Sequence, residues 1–338
     1  MKLNGGILTT SGVYFVLCET RNCDEDEAII CSGRSDGQRM MLRRLTEPAE
    51  FVSIKELFGT WKDGHLAAAL SAQGETFFLS ELAVSRQIIR GSGYTRDDSL
   101  GLGRMTSLKQ VEEDLFALGY GGQVYRRSTS IDWQPMHVDR ERAVPGANVC
   151  LYDVVKGPEG FLYFGGIELA KFARTPEMIA ADEADDEDRW IELLLAVPGD
   201  DKMSLRCYDG TWRDLGMEAQ GALTVILQTD IHAWTMFSNY GVAWKTEDFA
   251  SIEEIVVLGD RKKFWDVKNI AKRNFVLVGQ QLNELVNDEL YIFSQPLPAQ
   301  GNGYTNITGN EVLLSAFHEN GLVELRDGTW REIAVIFE

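Results

Sequence analysis

"NEVLLSAFHENGLVELRDGTWREIAV" (Asn310–Val335) parses as three short strands and two turns. "EVLLSAF", "LVELR" and "REIAV" have strand length and strand alternation. "HENG" and "DGTW" carry the Asn, Asp and Gly that tight turns require. The Asp-Gly-Thr-Trp phrase occurs once more, in "YDGTWRDLGM" (Tyr208–Met217), 118 residues earlier. In both copies an Arg, an acid and an apolar residue follow the Trp.

The separation is close to three intervals of 39, and weaker copies fill the chain. They are Glu27–Ile54, Gly64–Ile89, Glu113–Met136, Ile231–Ile255 and Arg273–Ser294, each with apolar strands around a polar turn. The large apolar residue after the second turn falls at Phe51, Ile88, Trp133, Trp212, Phe249, Tyr291 and Trp330, in steps of 37, 45, 79, 37, 42 and 39. A period near 40 with three or four strands per unit is the signature of a β-propeller blade. A lone four-stranded sheet leaves both faces wet, whereas a ring of sheets buries them against one another. The expected fold is all-β, a seven-bladed β-propeller in a single domain over residues 1–338. A pair of β-sandwiches is the runner-up, but it does not explain the sustained step. The repeated Trp is expected to open the outer strand and wedge between neighbouring blades, burying on the order of 200 Å².

The step of 79 holds one ordinary blade and an excess. "NVCLYDVVKGPEGFLYFGG" (Asn148–Gly166) supplies two strands, and "MSLRCYDGTWRDLG" (Met203–Gly216) two more. An insertion is therefore expected at about 167–202, between the second and third strands of blade 4. Its sequence predicts a partly helical arm, with Thr175 as N-cap, Pro176 at the first helical position and Pro198-Gly199 as terminator. Seven acids and no base lie between Glu177 and Asp188: Glu177, Asp182, Glu183, Asp185, Asp186, Glu187 and Asp188. Trp190 stands beside them as a candidate anchor. These eight residues form the predicted partner-binding site, on the face where propeller loops vary most freely.

The net charge of −19 disfavours nucleic acid and anionic membrane and suits a basic protein partner. The first residues lack the basic and apolar blocks of a secretory signal, and no run of 18 apolar residues occurs, so a cytoplasmic protein is expected. Five cysteines (Cys18, Cys23, Cys31, Cys150, Cys207) lack metal-site spacing and read as reduced thiols. His65, His137, His232 and His318 are spread over four blades at unlike positions: a strand start, after an outer turn, in a strand and in a turn. No Gly-x-Ser-x-Gly elbow or Walker-type loop occurs. "GLGRMTS" (Gly101–Ser107) follows no strand, and the acid-bearing loops Asp24–Glu27 and Thr95–Gly101 match no calcium-ligand spacing. No catalytic residue, cofactor or metal is assigned. Two closures of the ring are open: a strand from Gly5–Thr10 joining the last blade, or Arg331–Glu338 completing that blade unaided.

The Asp-Gly-Thr-Trp turns and "STSIDW" (Ser128–Trp133) resemble the turns of WD40, kelch and sialidase-repeat propellers, without a sialidase's arginine triad. The acidic blades ending in "NGLVELRDGTWREI" (Asn320–Ile333) resemble propeller-type immunity proteins of bacterial polymorphic and contact-delivered toxin systems. That resemblance implies binding of a cognate toxin, such as a nuclease with a basic groove, and blockage of its active site. The alternatives are a propeller lyase or hydrolase acting at the central pore, and a general protein-interaction scaffold.

Overall fold

A computed structural model describes residues 2–19, 27–62, 64–128, 132–136, 149–169, 177, 180, 189, 201–259, 262–300 and 303–337. The chain is all-β: among these residues almost all regular structure is strand. The first unit comprises β1 (Lys2–Leu8), β2 (Tyr14–Glu19), β3 (Ile29–Ser35) and β4 (Arg39–Arg44). Next come β5 (Phe51–Glu56), β6 (Ala67–Ser71), β7 (Glu75–Leu79) and β8 (Val84–Ile88), followed by β9 (Met105–Val111), β10 (Asp114–Gly119), β11 (Val124–Ser128) and β12 (Gln134–Pro135). The middle of the chain gives β13 (Val149–Lys156), β14 (Leu162–Glu168), β15 (Lys202–Tyr208) and β16 (Trp212–Asp214), then β17 (Leu223–Asp230), β18 (Ala233–Ser238), β19 (Val242–Thr246) and β20 (Ile252–Val257). The last two units are β21 (Phe264–Ile270), β22 (Arg273–Val278), β23 (Gln281–Val286), β24 (Glu289–Ile292), and β25 (Tyr304–Gly309), β26 (Leu314–His318), β27 (Gly321–Arg326), β28 (Thr329–Phe337). Among the described residues no helix is long and apolar enough to cross a membrane.

Hydrogen bonds join these strands into five sheets of four and one of eight. Within each unit the strands are antiparallel and lie in chain order. The eight-stranded sheet is the first and last units fused edge to edge, where Ala334–Phe337 of β28 pair in parallel with Arg39–Leu42 of β4. The first strands of the units neighbour one another in chain order, from β1 beside β5 through to β21 beside β25, and β25 lies against β1. Both routes considered for closure are thereby settled. The strand at Gly5–Thr10 belongs to the first unit, and β28 completes the last unit and then runs on to the first.

The second strands are the most deeply buried, and "AAALS" of β6 and "AWTMFS" of β18 are buried along their whole length. They carry continuous apolar runs because a neighbouring sheet covers each face. The core is correspondingly divided into layers between adjacent units. Phe116 of β10 meets Phe164 of β14 edge to face at 6.2 Å, and Trp234 and Phe249 of one unit close on Tyr163 of the preceding one.

Both Asp-Gly-Thr-Trp tryptophans bridge units as expected. Trp212 Nε1 donates to the carbonyl of Met136 at 2.9 Å, and Trp330 Nε1 donates to that of Gln295 at 2.9 Å. Each acceptor lies just beyond the outer strand of the preceding unit. Asp327 and Gly328 both have positive φ, 50° and 73°, the two-residue turn geometry that Asp-Gly favours. Three landmarks fall elsewhere. Ile88 and Tyr291 lie on outer strands but are about half exposed, with Ile89 and Phe293 buried instead. Phe51 opens the first strand of the second unit, because the first unit's outer strand is β4.

The β28–β4 pairing gives a direct test. A chain ending at Ile333 loses four paired residues together with the packing of Val335 and Phe337 against the first unit's core. We expect a loss of about 2 kcal/mol and a fall in Tm of about 3 °C for a chain of this length. An unchanged Tm in differential scanning calorimetry would show that this seam adds nothing.

Candidate functional site

Each first strand carries a β-bulge at the same place. The extra residue is Asn4 in β1, Val52 in β5, Thr106 in β9, Tyr152 in β13, Thr224 in β17, Trp265 in β21 and Thr305 in β25. A bulge bends its strand and re-aims the residues that follow. After it comes a recurrent triplet, clearest in Ser53-Ile54-Lys55, Ser107-Leu108-Lys109 and Asp266-Val267-Lys268. Its middle residue is buried against the preceding unit, as Leu108, Val154, Ile226 and Ile307 are. Its outer two residues point the other way, toward the axis around which the first strands gather.

The first polar position of the triplet ties neighbouring units together. Asp153 is buried, and its Oδ2 accepts the backbone N–H of Ile226 at 2.8 Å. Asp266 Oδ2 accepts from the backbone N–H of Ile307 at 2.9 Å and from Asn306 Nδ2 at 2.6 Å. Asn306 Oδ1 in turn accepts the N–H of Gly6 at 3.2 Å, and Thr308 Oγ1 accepts that of Leu8 at 2.8 Å. The last unit is thereby stitched to the first.

The final position of the triplet brings three lysines together. Lys109 Nζ lies 2.8 Å from Asp153 Oδ1, and Lys268 Nζ lies 2.9 Å from Asp266 Oδ1. Lys55 is half-buried between them, and its ammonium makes no hydrogen bond or ion pair with any described residue. The positive charge of Lys268 depresses the Lys55 pKa most, burial next and Lys109 after that. Asp153 and Asp266 oppose the fall, and the result is about 7. Glu56, next along β5, is already taken by the N–H and hydroxyl of Thr10, at 2.6 and 2.8 Å. Ile7, Lys55, Lys109, Lys268 and Thr308, from five units, line a cavity of about 210 Å³. Only a position at the axis is reached from all five. The arrangement can hold a compact anion, and a partly neutral amine there can act as a base or nucleophile.

The predicted acidic arm is attached elsewhere. It joins β14 to β15, leaving β14 at Glu168, which pairs with Val149 and Lys202. That is the opposite end of the unit from the Lys156–Leu162 hairpin, on whose side the lysine cavity opens. Glu177 is exposed on helical backbone, as are Ala180 and Arg189. Asp182, Glu183, Asp185, Asp186, Glu187, Asp188 and Trp190 lie outside the described residues, as do Cys23 and His137. Two histidine expectations are corrected: His318 is buried at the end of β26, and His232 is exposed in the β17–β18 turn. Among the described residues no group of three His, Cys, Asp or Glu could hold a metal. Cys18, Cys31, Cys150 and Cys207 are buried, and among the described residues none forms a disulfide.

No protein-family model matches the chain. No curated protein matches it either. Solved structures do, and they show the fold: a β-propeller. The WD40 propeller domain of Doa1 superposes with a TM-score of 0.59 at 8% identity, covering 96% of this chain and 92% of that one. YCF48 bound to D1 peptide gives 0.56 at 11%, covering 96% and 91%. A chain of the mitotic checkpoint complex gives 0.58 at 11%, covering 93% and 86%. The chain spans only 38% of the BT4673 extracellular domain from B. thetaiotaomicron, with a TM-score of 0.56 at 11% identity over 96% of this chain. At such identities these likenesses carry the fold.

Proposed function

We propose that the seven successive units close as a seven-bladed propeller, one domain over the whole chain, which serves as a protein-binding scaffold for a basic partner. The observation that carries this reading is the long connection between β14 and β15. Shaped, hydrogen-bonded sheets hold both its ends in register, and it bears the densest run of acids in a chain of net charge −19. An arm of that charge on a rigid scaffold draws a basic surface by long-range attraction and raises the association rate. Two of the structural neighbours are seen with protein partners, one with D1 peptide and one within the mitotic checkpoint complex. The finer reading is an immunity protein that blocks a bacterial toxin in the cytoplasm. It rests on the resemblance of the acidic blades to such proteins.

The test uses the product of the adjacent gene as partner, with binding followed by surface plasmon resonance at increasing salt. Changing the seven acids of Glu177–Asp188 to amides is expected to slow association about 10-fold at low salt and to flatten its salt dependence. Equal rates and equal salt slopes for the two chains would refute the docking role of the arm. An adjacent product with no toxic activity that still binds would leave the scaffold and remove the immunity reading.

A further inference from the structure

We propose that the axial cavity lined by Lys55, Lys109 and Lys268 is a binding site for a small free anion, a tetrahedral oxyanion or a short dicarboxylate. Three ammonium groups from three units face two carboxylates there, and the third carboxylate on the wall, Glu56, is turned to Thr10, so positive charge dominates around Lys55 inside a strongly acidic protein. Both carboxylates are already committed: Asp153 to Lys109 and the Ile226 N–H, Asp266 to Lys268, Asn306 and the Ile307 N–H. Among the described residues Lys55 is left without a countercharge in contact, although burying an unpaired charge is unfavourable. An anion supplies what is missing. It would meet the Lys55 ammonium directly, with Lys109 and Lys268 close enough to reinforce it and the Thr308 hydroxyl on the same wall.

Size restricts the ligand. The cavity, about 210 Å³, is small and suits a compact ion such as sulfate, phosphate or malonate. Position restricts it as well, since the walls come from five units and a flat macromolecular surface does not reach in. The site lies at the opposite end of the strands from Glu168 and Lys202, where the acidic segment leaves and rejoins the sheet, so the two can be altered separately.

Protonation couples to occupancy. The groups facing Lys55 are Lys109 of β9, Asp153 of β13, Asp266 and Lys268 of β21 and Thr308 of β25, while Glu56 on its own strand is held by Thr10. Lys55 titrates near neutrality, so an anion of constant charge binds more tightly as pH falls from 8 to 6, and binding in turn raises the Lys55 pKa.

The experiment is isothermal titration of the full chain with sodium sulfate and with malonate, against chloride at equal ionic strength. We expect saturable one-site binding at pH 6.5, at least 10-fold weaker in Lys55→Met and unchanged in Lys202→Met, whose lysine is exposed at the start of β15. Sulfate affinity should rise severalfold between pH 8 and pH 6 in the parent and stay flat in Lys55→Met. Preference for sulfate assigns an oxyanion, and preference for malonate a dicarboxylate. Absence of saturable binding for both probes, or equal affinities in parent and Lys55→Met, overturns the site. Neither result bears on partner binding by the arm.

Discussion

Replacement of Glu324 by alanine should lower the unfolding free energy by about 3 kcal/mol, at the low end of the range for breaking a buried charge pair. Glu324, on β27, is fully buried. It accepts the Tyr14 hydroxyl at 2.7 Å and Arg326 Nε at 2.7 Å, and the Ser315 hydroxyl lies 2.7 Å from that of Tyr14. Tyr14 belongs to the first unit and the other three residues to the last, so this network sits on the closing seam. Burial first, and then the charge of Glu324, push the Tyr14 phenol far above its usual range; it donates and does not ionise. Alanine removes the carboxylate that both the Tyr14 hydroxyl and the Arg326 guanidinium meet, leaving Tyr14 only Ser315. Glu324→Gln keeps an acceptor for Tyr14 and should cost about 1 kcal/mol. Tyr14→Phe with Glu324→Ala should cost less than the sum of the single changes, because the two share one contact. Guanidinium unfolding monitored by tryptophan fluorescence measures all of these. A loss below about 1 kcal/mol for Glu324→Ala would mean that the seam opens without consequence.

Lys55→Met is expected to act in the opposite direction and to stabilise the protein. Lys55 falls from an ordinary 10.5 to about 7 in the folded chain. Between those pH values the unfolded chain binds more protons at this group than the folded one, so stability rises with pH across that window. Below about 7 the cost of charging Lys55 beside Lys268 and Lys109 is fully present. Methionine fills a similar volume and removes the charge. At pH 6 the variant should be more stable by about 2 kcal/mol, well under the value of the full shift because a half-buried group is partly screened. The advantage should fade between pH 7 and pH 10.5. A constant difference across that range, or a less stable variant at pH 6, would show that Lys55 is not held against its neighbours' charge. A gain in stability paired with loss of anion binding is the trade expected when a strained charge is kept for function.

The turn phrases and their interval sufficed to read the blades because both are local. Asp-Gly sets backbone conformation wherever it stands, and the Trp behind it has one large surface to bury. Trp212 and Trp330 duly bury it against the preceding unit. The same reading placed Phe51 on an outer strand. The first unit has no large aromatic on its outer strand β4, so the next one along the chain, Phe51, falls on β5. The axial site also left a trace, the triplets ending at Lys55, Lys109 and Lys268. They pass as ordinary alternation unless the bulge before each is known, because one extra residue turns the following side chains to the other face. His232 and His318 differ from the expectation for a related reason: a turn boundary shifted by a residue or two exchanges a buried strand end for an exposed loop.

The sequence alone determined that this chain is β throughout, built from like units of about 40 residues, strongly acidic, and interrupted once between β14 and β15. Those properties follow from periodicity, turn chemistry and charge, which neighbouring residues express by themselves. Only the tertiary structure decided that Lys55, Lys109 and Lys268 share a cavity, that Tyr14 meets Glu324, and that β28 runs on to pair with β4. In a ring, contact depends on rotation about an axis, so residues hundreds of positions apart become neighbours, and no local pattern encodes which of them will meet.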